Sequence, residues 1–364
     1  MYSHYFRRKI YLMHQENTST APDTAKPGTS LLDPFARTIS YLRLSLTDRC
    51  NLRCLYCVTE EEGDGSLCKL NHEDLLSYEE LVRVVRVAVS MGISKLRLTG
   101  GEPLTRRGVL PFIAALGSID GLSDIRLTTN GVFLADKAEA LFAAGVGKVN
   151  ISLDSLKPER FARITGVDCF REVWRGVETA LTVGFSPVKL NVVVMAGIND
   201  DELEDFARLS QQLPVQVRFI EFMPMGVGSR WSRDMYLSTD AIMAAISRLG
   251  ELLPVEHVSH DGPARVYRLG KDARGSLGFI SPISHHFCDT CNRLRLTSAG
   301  SLRSCLLHDE EIDLRAILRA TNDDAAIRAA IRQAIVNKPK GHQLEERLRD
   351  SGGDCHGRMS RIGG

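Results

Sequence analysis

An α/β fold is predicted, an incomplete (β/α)6 barrel of the TIM type followed by a smaller C-terminal α+β region. Three observations predict it. Between Tyr41 and Glu221 six short β-rich runs alternate with helical patterns, which implies a parallel sheet with right-handed crossovers. Along those runs one face is apolar and the other polar and largely cationic, whereas a closed barrel would fill its middle with branched apolar layers. Beyond about Gly226 the alternation stops. The 364 residues leave room for one large domain plus a smaller second. With 46 Lys plus Arg against 45 Asp plus Glu, no global field advertises a nucleic acid polymer. No apolar run approaches the roughly 20 residues of a membrane helix, so a cytoplasmic protein is expected.

Residues 1–36 are expected to form a disordered leader, because Asn17–Ser30 is rich in Thr, Ala, Pro, Ser and Gly without periodicity. Arg7, Arg8 and Lys9 beside Ile10–Met13 carry a faint targeting flavour. That apolar run is too short for a signal peptide, and Glu16 and Asp23 argue against an organellar one. The barrel is then expected over 37–228, a C-terminal domain over 229–350 and a Gly-Gly tail over 351–364.

Side chains of a strand alternate between its faces. In Tyr41–Thr47, Leu42, Leu44 and Leu46 oppose Arg43, Ser45 and Thr47. A helical period follows over Tyr78–Val89, at Leu81, Val82, Val85, Ala88 and Val89. In Lys95–Thr99, Leu96 and Leu98 oppose Lys95, Arg97 and Thr99; in Asp124–Thr128, Ile125 and Leu127 oppose Arg126 and Thr128. Lys148–Asp154 sets Val149, Ile151 and Leu153 against Asn150, Ser152 and Asp154. Val188–Met195 sets Leu190, Val192 and Val194 against Lys189 and Asn191, and Val215–Glu221 adds Gln216 and Arg218 to the polar side. A sheet with one wet face would merely solvate these cations. Parallel sheets rarely expose a face, so the expectation is an open arc around a lumen that holds a polar, anionic ligand. Beyond it come a helix near Thr239–Leu249 and strands near Ala264–Leu269 and Gly275–Ile280.

The loops at the C-terminal strand ends, where barrel enzymes carry their chemistry, support that lumen. After the first strand stand Cys50, Cys54 and Cys57, at C-x3-C-x2-C, with Asp48, Arg49, Asn51 and Arg53 between and around them. That interleaving is no core pattern. Three thiolates can hold three irons of a cubic cluster and leave the fourth open, as a reactive metal site requires. The open iron suits the amino and carboxylate groups of S-adenosylmethionine. A zinc site with a remote fourth ligand is the alternative on spacing. Gly100-Gly101-Glu102-Pro103 follows the second strand, its glycines permitting close backbone approach to a ligand; Thr129-Asn130-Gly131 follows the third. A second triad, Cys288, Cys291 and Cys305 at C-x2-C-x13-C, lies in the C-terminal region. On spacing alone, zinc completed by His286 or His308 competes equally there. Nine cysteines in all, six of them clustered, read as metal binding in a reducing compartment rather than as disulfides. Cys68, Cys169 and Cys355 are taken as bystanders.

The first triad, with Tyr56 as the aromatic before its third cysteine, resembles that of the radical S-adenosylmethionine superfamily. Ser281–Leu306, Thr99–Leu104, Val149–Leu156 and the terminal Met359-Ser360-Arg361-Ile362-Gly363-Gly364 resemble the GTP 3′,8-cyclase family within it. The resemblance runs from about Tyr41 to the last residue. It implies two 4Fe–4S clusters, S-adenosylmethionine as cofactor and GTP as substrate. Gly101 stands in the segment that holds the methionine amino group, and Ser152 and Met223 match contacts to ribose and adenine. The triphosphate would meet Arg43, Lys95, Arg97, Lys189, Arg218, Arg293 and Arg295, with Thr128 as a hydroxyl contact, and the second cluster would hold the guanine base. The family reaction takes hydrogen from ribose C3′, and the carbon radical attacks C8 to give 3′,8-cyclo-7,8-dihydro-GTP. The cofactors carry that bond-breaking, so no general acid or base is assigned. The two terminal glycines would reach into the site. The resemblance further implies a homodimer, an electron donor such as flavodoxin or ferredoxin, and cyclic pyranopterin monophosphate synthase as the next enzyme. The chain departs from the family at Val58-Thr59, where Met-Pro is usual, in the loop Glu60–Asn71, and over Ser351–Arg358.

Overall fold

The computed structural model describes residues 31–57, 69–225, 230–256, 262–342, 344 and 358–363. Most of the leader, Val58-Thr59, Cys68, Cys355 and Gly364 lie outside the described residues.

The barrel units follow in order: β1 (Tyr41–Ser45), α1 (Tyr78–Ser90), β2 (Lys95–Thr99), α2 (Val109–Gly117), β3 (Asp124–Thr129), α3 (Ala138–Ala143) and β4 (Val146–Ser152). Next come α4 (Pro158–Thr165), α5 (Phe170–Val183), β5 (Val188–Val194), α6 (Leu203–Gln212) and β6 (Val215–Glu221). Every expected strand is present within two residues of its expected start and end. Local chemistry sets the helix ends. Ser77 Oγ accepts from Glu80 N at 3.2 Å while Glu80 accepts from Ser77 N at 2.7 Å, a capping box that starts α1. Pro158 opens α4, and Gly166, in the left-handed region, closes it.

The C-terminal part supplies α7 (Thr239–Ile246), β7 (Leu252–Pro254), β8 (Arg265–Leu269), β9 (Ser276–Ile280), β10 (Arg293–Leu296), β11 (Ser301–Arg303) and β12 (Glu311–Asp313). It ends in α8 (Leu314–Ala320), α9 (Asp324–Val336) and the short α10 (Met359–Ile362). These strands do not build a separate sheet. β9 pairs parallel with β6, and β10 pairs parallel with β1. The expected six-stranded arc is therefore eight parallel strands inside one twelve-stranded sheet, in the order β12-β11-β10-β1-β2-β3-β4-β5-β6-β9-β8-β7. Residues 229–350 thus extend both edges of the sheet, which edge pairing favours because it satisfies exposed backbone groups.

The apolar strand faces, among them Leu44, Leu98, Leu127, Val149, Ile151, Leu190 and Val217, are buried against the outer helices in one continuous core. Each such side chain contributes about 1.5–3 kcal/mol on leaving water. The other face is equally dry. Lys95, Arg97, Arg126, Lys189, Arg218 and Arg295 are all 6 % exposed or less, so these cations are not solvated on a wet sheet. Among the described residues no helix is long and apolar enough to cross a membrane.

Candidate active site

Register brings the cations into a belt. Arg295 faces Arg43, Arg43 faces Arg97 and Arg97 faces Arg126, across β10, β1, β2 and β3. On the far side Asn191 faces Arg218 across β5 and β6. The belt walls a cavity of about 320 Å³, within the range of small-molecule sites. Arg43, Lys95, Arg97, Thr128, Arg218, Arg293 and Arg295 line it, as do Tyr56, Gly101, Ser152 and Met223. Lys189 is the exception among the expected residues. It is buried in register between Asn150 and Gln216 and does not line the cavity.

The belt is electrostatically frustrated. Burial, then the charges of the other arginines, lower Arg218 to about 9 and Arg295 to about 10, and the same pair of causes lowers Lys95 to about 8. Arg126 is met by Asp124 at 2.5 Å, which explains why it can sit deepest. Arg218 Nε, Asn150 Oδ1 and Asn191 Oδ1 are buried with no hydrogen-bond partner among the described residues. Grouped buried charge of this kind is costly until an anion joins it.

Tyr41, at the head of β1, went unnoticed in the sequence because a strand-edge tyrosine reads as apolar filling. Its hydroxyl accepts from Arg97 Nε, and Lys95 Nζ lies 4.6 Å from the ring centroid. Burial alone would raise the phenol, but Arg97, Arg43 and Lys95 bring it down to about 7. The surrounding cations favour its phenolate form. The unfolded phenol keeps its proton to about pH 10, so this group adds stability as pH rises from about 7 towards 10. We expect ultraviolet absorbance to show one phenolate forming near neutrality, absent in Tyr41→Phe and moved to higher pH by a bound triphosphate. A wild-type chain with no such transition would refute the assignment.

Both cysteine triads open on this cavity. The first is carried by a loop pinned to the end of α4, where Arg53 N donates to Thr165 O at 2.8 Å and Leu55 N to Ile164 O at 2.9 Å. Burial pushes the Cys54 thiol well up, reinforced by Asp154, Cys57 and Cys50; iron binding would have to displace that proton. Leu52 N lies 3.4 Å from Cys50 Sγ and Asn130 Nδ2 3.7 Å from it, donors of the kind that stabilise a cluster thiolate. Tyr56 donates to Asp154 at 2.8 Å. Buried Glu102 ties its own loop to the one after β3: it accepts from Leu104 N, Thr129 Oγ1 and Asn130 N at 3.0, 2.8 and 2.6 Å. Burial raises its carboxyl to about 7 despite these donors. Gly100 and Gly101 line the cavity and also meet a close neighbour on their other side. A Cβ on Gly101 would stand 2.3 Å from Arg49 O, and one on Gly100 2.6 Å from Thr47 O. The glycines admit the cluster loop's own backbone.

The second triad opens on the same cavity. Glu221 at the end of β6 accepts from Ile283 N and Ser284 N at 2.9 and 3.0 Å, anchoring the loop that leads to Cys288. Burial would raise the Cys291 thiol, but Arg293 and Lys338 bring it down to about 6. Neither His286 nor His308 lines the cavity. Among the described residues no three His, Cys, Asp or Glu side chains converge on the position of one ion; cubane ligands stand farther apart, one to each iron. All six cysteines are free thiols, a donor set that fits two such clusters. Cys169 is buried ahead of α5 and does not line the cavity. The tail packs beside the cavity: Met359 lines it, and Gly363, at φ 80°, packs on Thr99 while its carbonyl accepts from Arg295 Nη1 at 2.7 Å.

Comparison with known proteins agrees with this geometry. Residues 44–210 match the radical SAM superfamily, and 215–344 match Molybdenum Cofactor Synthesis C. The GTP 3′,8-cyclase of Heliobacterium modesticaldum is 47 % identical over 92 % of this chain and all of its own length. That of Listeria monocytogenes serovar 1/2a is 44 % identical over 92 % of this chain and 99 % of its own. Streptococcus suis SuiB shares the fold at TM-score 0.58 and 13 % identity, over 86 % of this chain and 74 % of its own. Sequence, sheet and site converge, and the chain belongs to the GTP 3′,8-cyclase family, radical S-adenosylmethionine lyases of molybdenum cofactor biosynthesis.

Proposed function

We propose that the chain converts GTP to 3′,8-cyclo-7,8-dihydro-GTP with two 4Fe–4S clusters facing each other across the cavity. The observation that carries this is the pair of thiol triads opening on one pocket walled by buried cations. Cys50, Cys54 and Cys57 would hold the first cluster, with S-adenosylmethionine on its open iron beside Tyr56, Gly101, Ser152 and Met223. When bound, that pair supplies a 5′-deoxyadenosyl radical able to take hydrogen from ribose C3′. The chain's own part is placement. Arg43, Lys95, Arg97, Arg218, Arg293 and Arg295 grip the triphosphate, guanidinium forks matching phosphate oxygens. Thr128, which accepts from Arg97 Nη1 at 3.2 Å, orients both. Lys189, buried on the same strand face as Asn191, adds its charge. Cys288, Cys291 and Cys305 would hold a second cluster whose open iron anchors the base.

From the family we carry over a homodimer in the cytoplasm, an electron donor such as flavodoxin or ferredoxin, and hand-over to cyclic pyranopterin monophosphate synthase. The barrel domain would run over 37–228, the cluster-binding part over 229–350 and the tail over 351–364. Anaerobic reconstitution tests the reading. It should yield two 4Fe–4S clusters per chain and 5′-deoxyadenosine only when GTP is present. About two zincs per chain and no deoxyadenosine would refute it.

A further inference from the structure

Lys338, just beyond α9, is 3 % exposed. Its ammonium donates to Arg293 O at 2.9 Å and to Ser304 O at 2.6 Å. Arg293 stands two residues after Cys291, and Ser304 immediately precedes Cys305. One cation therefore ties together the start of β10 and the exit of β11, the two limbs that present these thiols. The third limb is held otherwise. Arg37 donates to Cys288 O at 2.8 Å, but its charge is matched by Asp33 at 2.5 Å. Lys338 forms no carboxylate ion pair among the described residues. The charged and titratable groups facing it are Cys291, Cys305, Arg37 and Arg293.

A buried ammonium with two carbonyl acceptors and no carboxylate is costly to maintain. An anion at the thiols would offset that cost, and a thiolate-bound iron–sulfur cluster is such an anion. Charge and hydrogen bonding around the sulfurs also set a cluster's potential. We propose that Lys338 is a positioning residue for the second cluster, spacing the Cys291 and Cys305 limbs and supplying the fixed positive charge beside them. This rests on the reading that Cys288, Cys291 and Cys305 hold a cluster.

The test uses the full chain, reconstituted anaerobically, as wild type, Lys338→Arg, Lys338→Gln and Lys338→Met. Iron per chain is counted, and each reduced cluster is titrated by electron paramagnetic resonance. The first cluster is recognised by its response to S-adenosylmethionine and the second by its response to GTP. Lys338→Gln, which keeps a donor and drops the charge, should hold the second cluster at a lower midpoint potential. Lys338→Met should lose it or hold it lower still, with the first cluster's response unchanged, and Lys338→Arg should return both occupancy and potential towards wild type. A wild-type midpoint in the Gln variant overturns the inference, whether or not the Met variant folds. A wild-type chain that binds one cluster only would instead sink the reading on which the inference rests.

Discussion

Replacing Gly101 by alanine is expected to abolish binding of the first cluster and, with it, all cleavage of S-adenosylmethionine. The added Cβ would lie 2.3 Å from Arg49 O and 2.6 Å from Arg49 C. These are backbone atoms of the cluster loop, so no side chain can swing aside. The same approach is sealed by two hydrogen bonds, Gly101 N to Thr47 O at 2.7 Å and Glu102 N to Arg49 O at 2.8 Å. Forcing the loops apart would cost about 1–3 kcal/mol in overpacking and about 0.5–1.5 kcal/mol for each bond. The movement also carries Glu102 away from Thr129 and Asn130, and Asn130 is the side chain that reaches Cys50. Iron content and deoxyadenosine yield in the presence of GTP measure the outcome. A Gly101→Ala chain with wild-type iron and wild-type cleavage would show that the loops tolerate separation.

That prediction also marks where the sequence stops being readable. The strand faces were legible because alternation is a local property: Leu96 and Leu98 against Lys95 and Arg97 needs only five residues. The triads were legible because their spacing is short. What pairs with what is non-local, so nothing in Gly275–Ile280 or Arg293–Arg295 announces that one strand joins β6 and the other β1. Tyr41 was hidden by its ambiguity, apolar ring and titratable hydroxyl in one side chain. Glu102 and Glu221 look like ordinary surface carboxylates until the loops they tie are folded. Gly100 and Gly101 were visible as a motif, but their close approach to the backbone of Thr47 and Arg49 was not, because that turn lies about fifty residues earlier.

Replacing Cys305 by alanine is expected to lower GTP turnover at least about 100-fold while leaving the first cluster and its reductive chemistry intact. The reasoning depends on separating charge from orientation. Arg43, Arg97, Arg218 and Arg295 are untouched by the change, so the triphosphate should still enter and the KM for GTP should move far less than kcat. What disappears is one of three thiols opening on the cavity and, on the proposed reading, the rigid seat for the base. A radical step needs its carbon and its acceptor within near-attack distance, and a misplacement of about 1 Å costs about 100-fold. The variant chain should therefore bind about half the wild-type iron, keep the spectroscopic response to S-adenosylmethionine, and make deoxyadenosine uncoupled from cyclised nucleotide. Serine in place of Cys305 should do little better, since a hard hydroxyl is a poor substitute for a soft thiolate on iron. Full turnover in either variant would place the nucleotide elsewhere and leave the second triad without a role in catalysis.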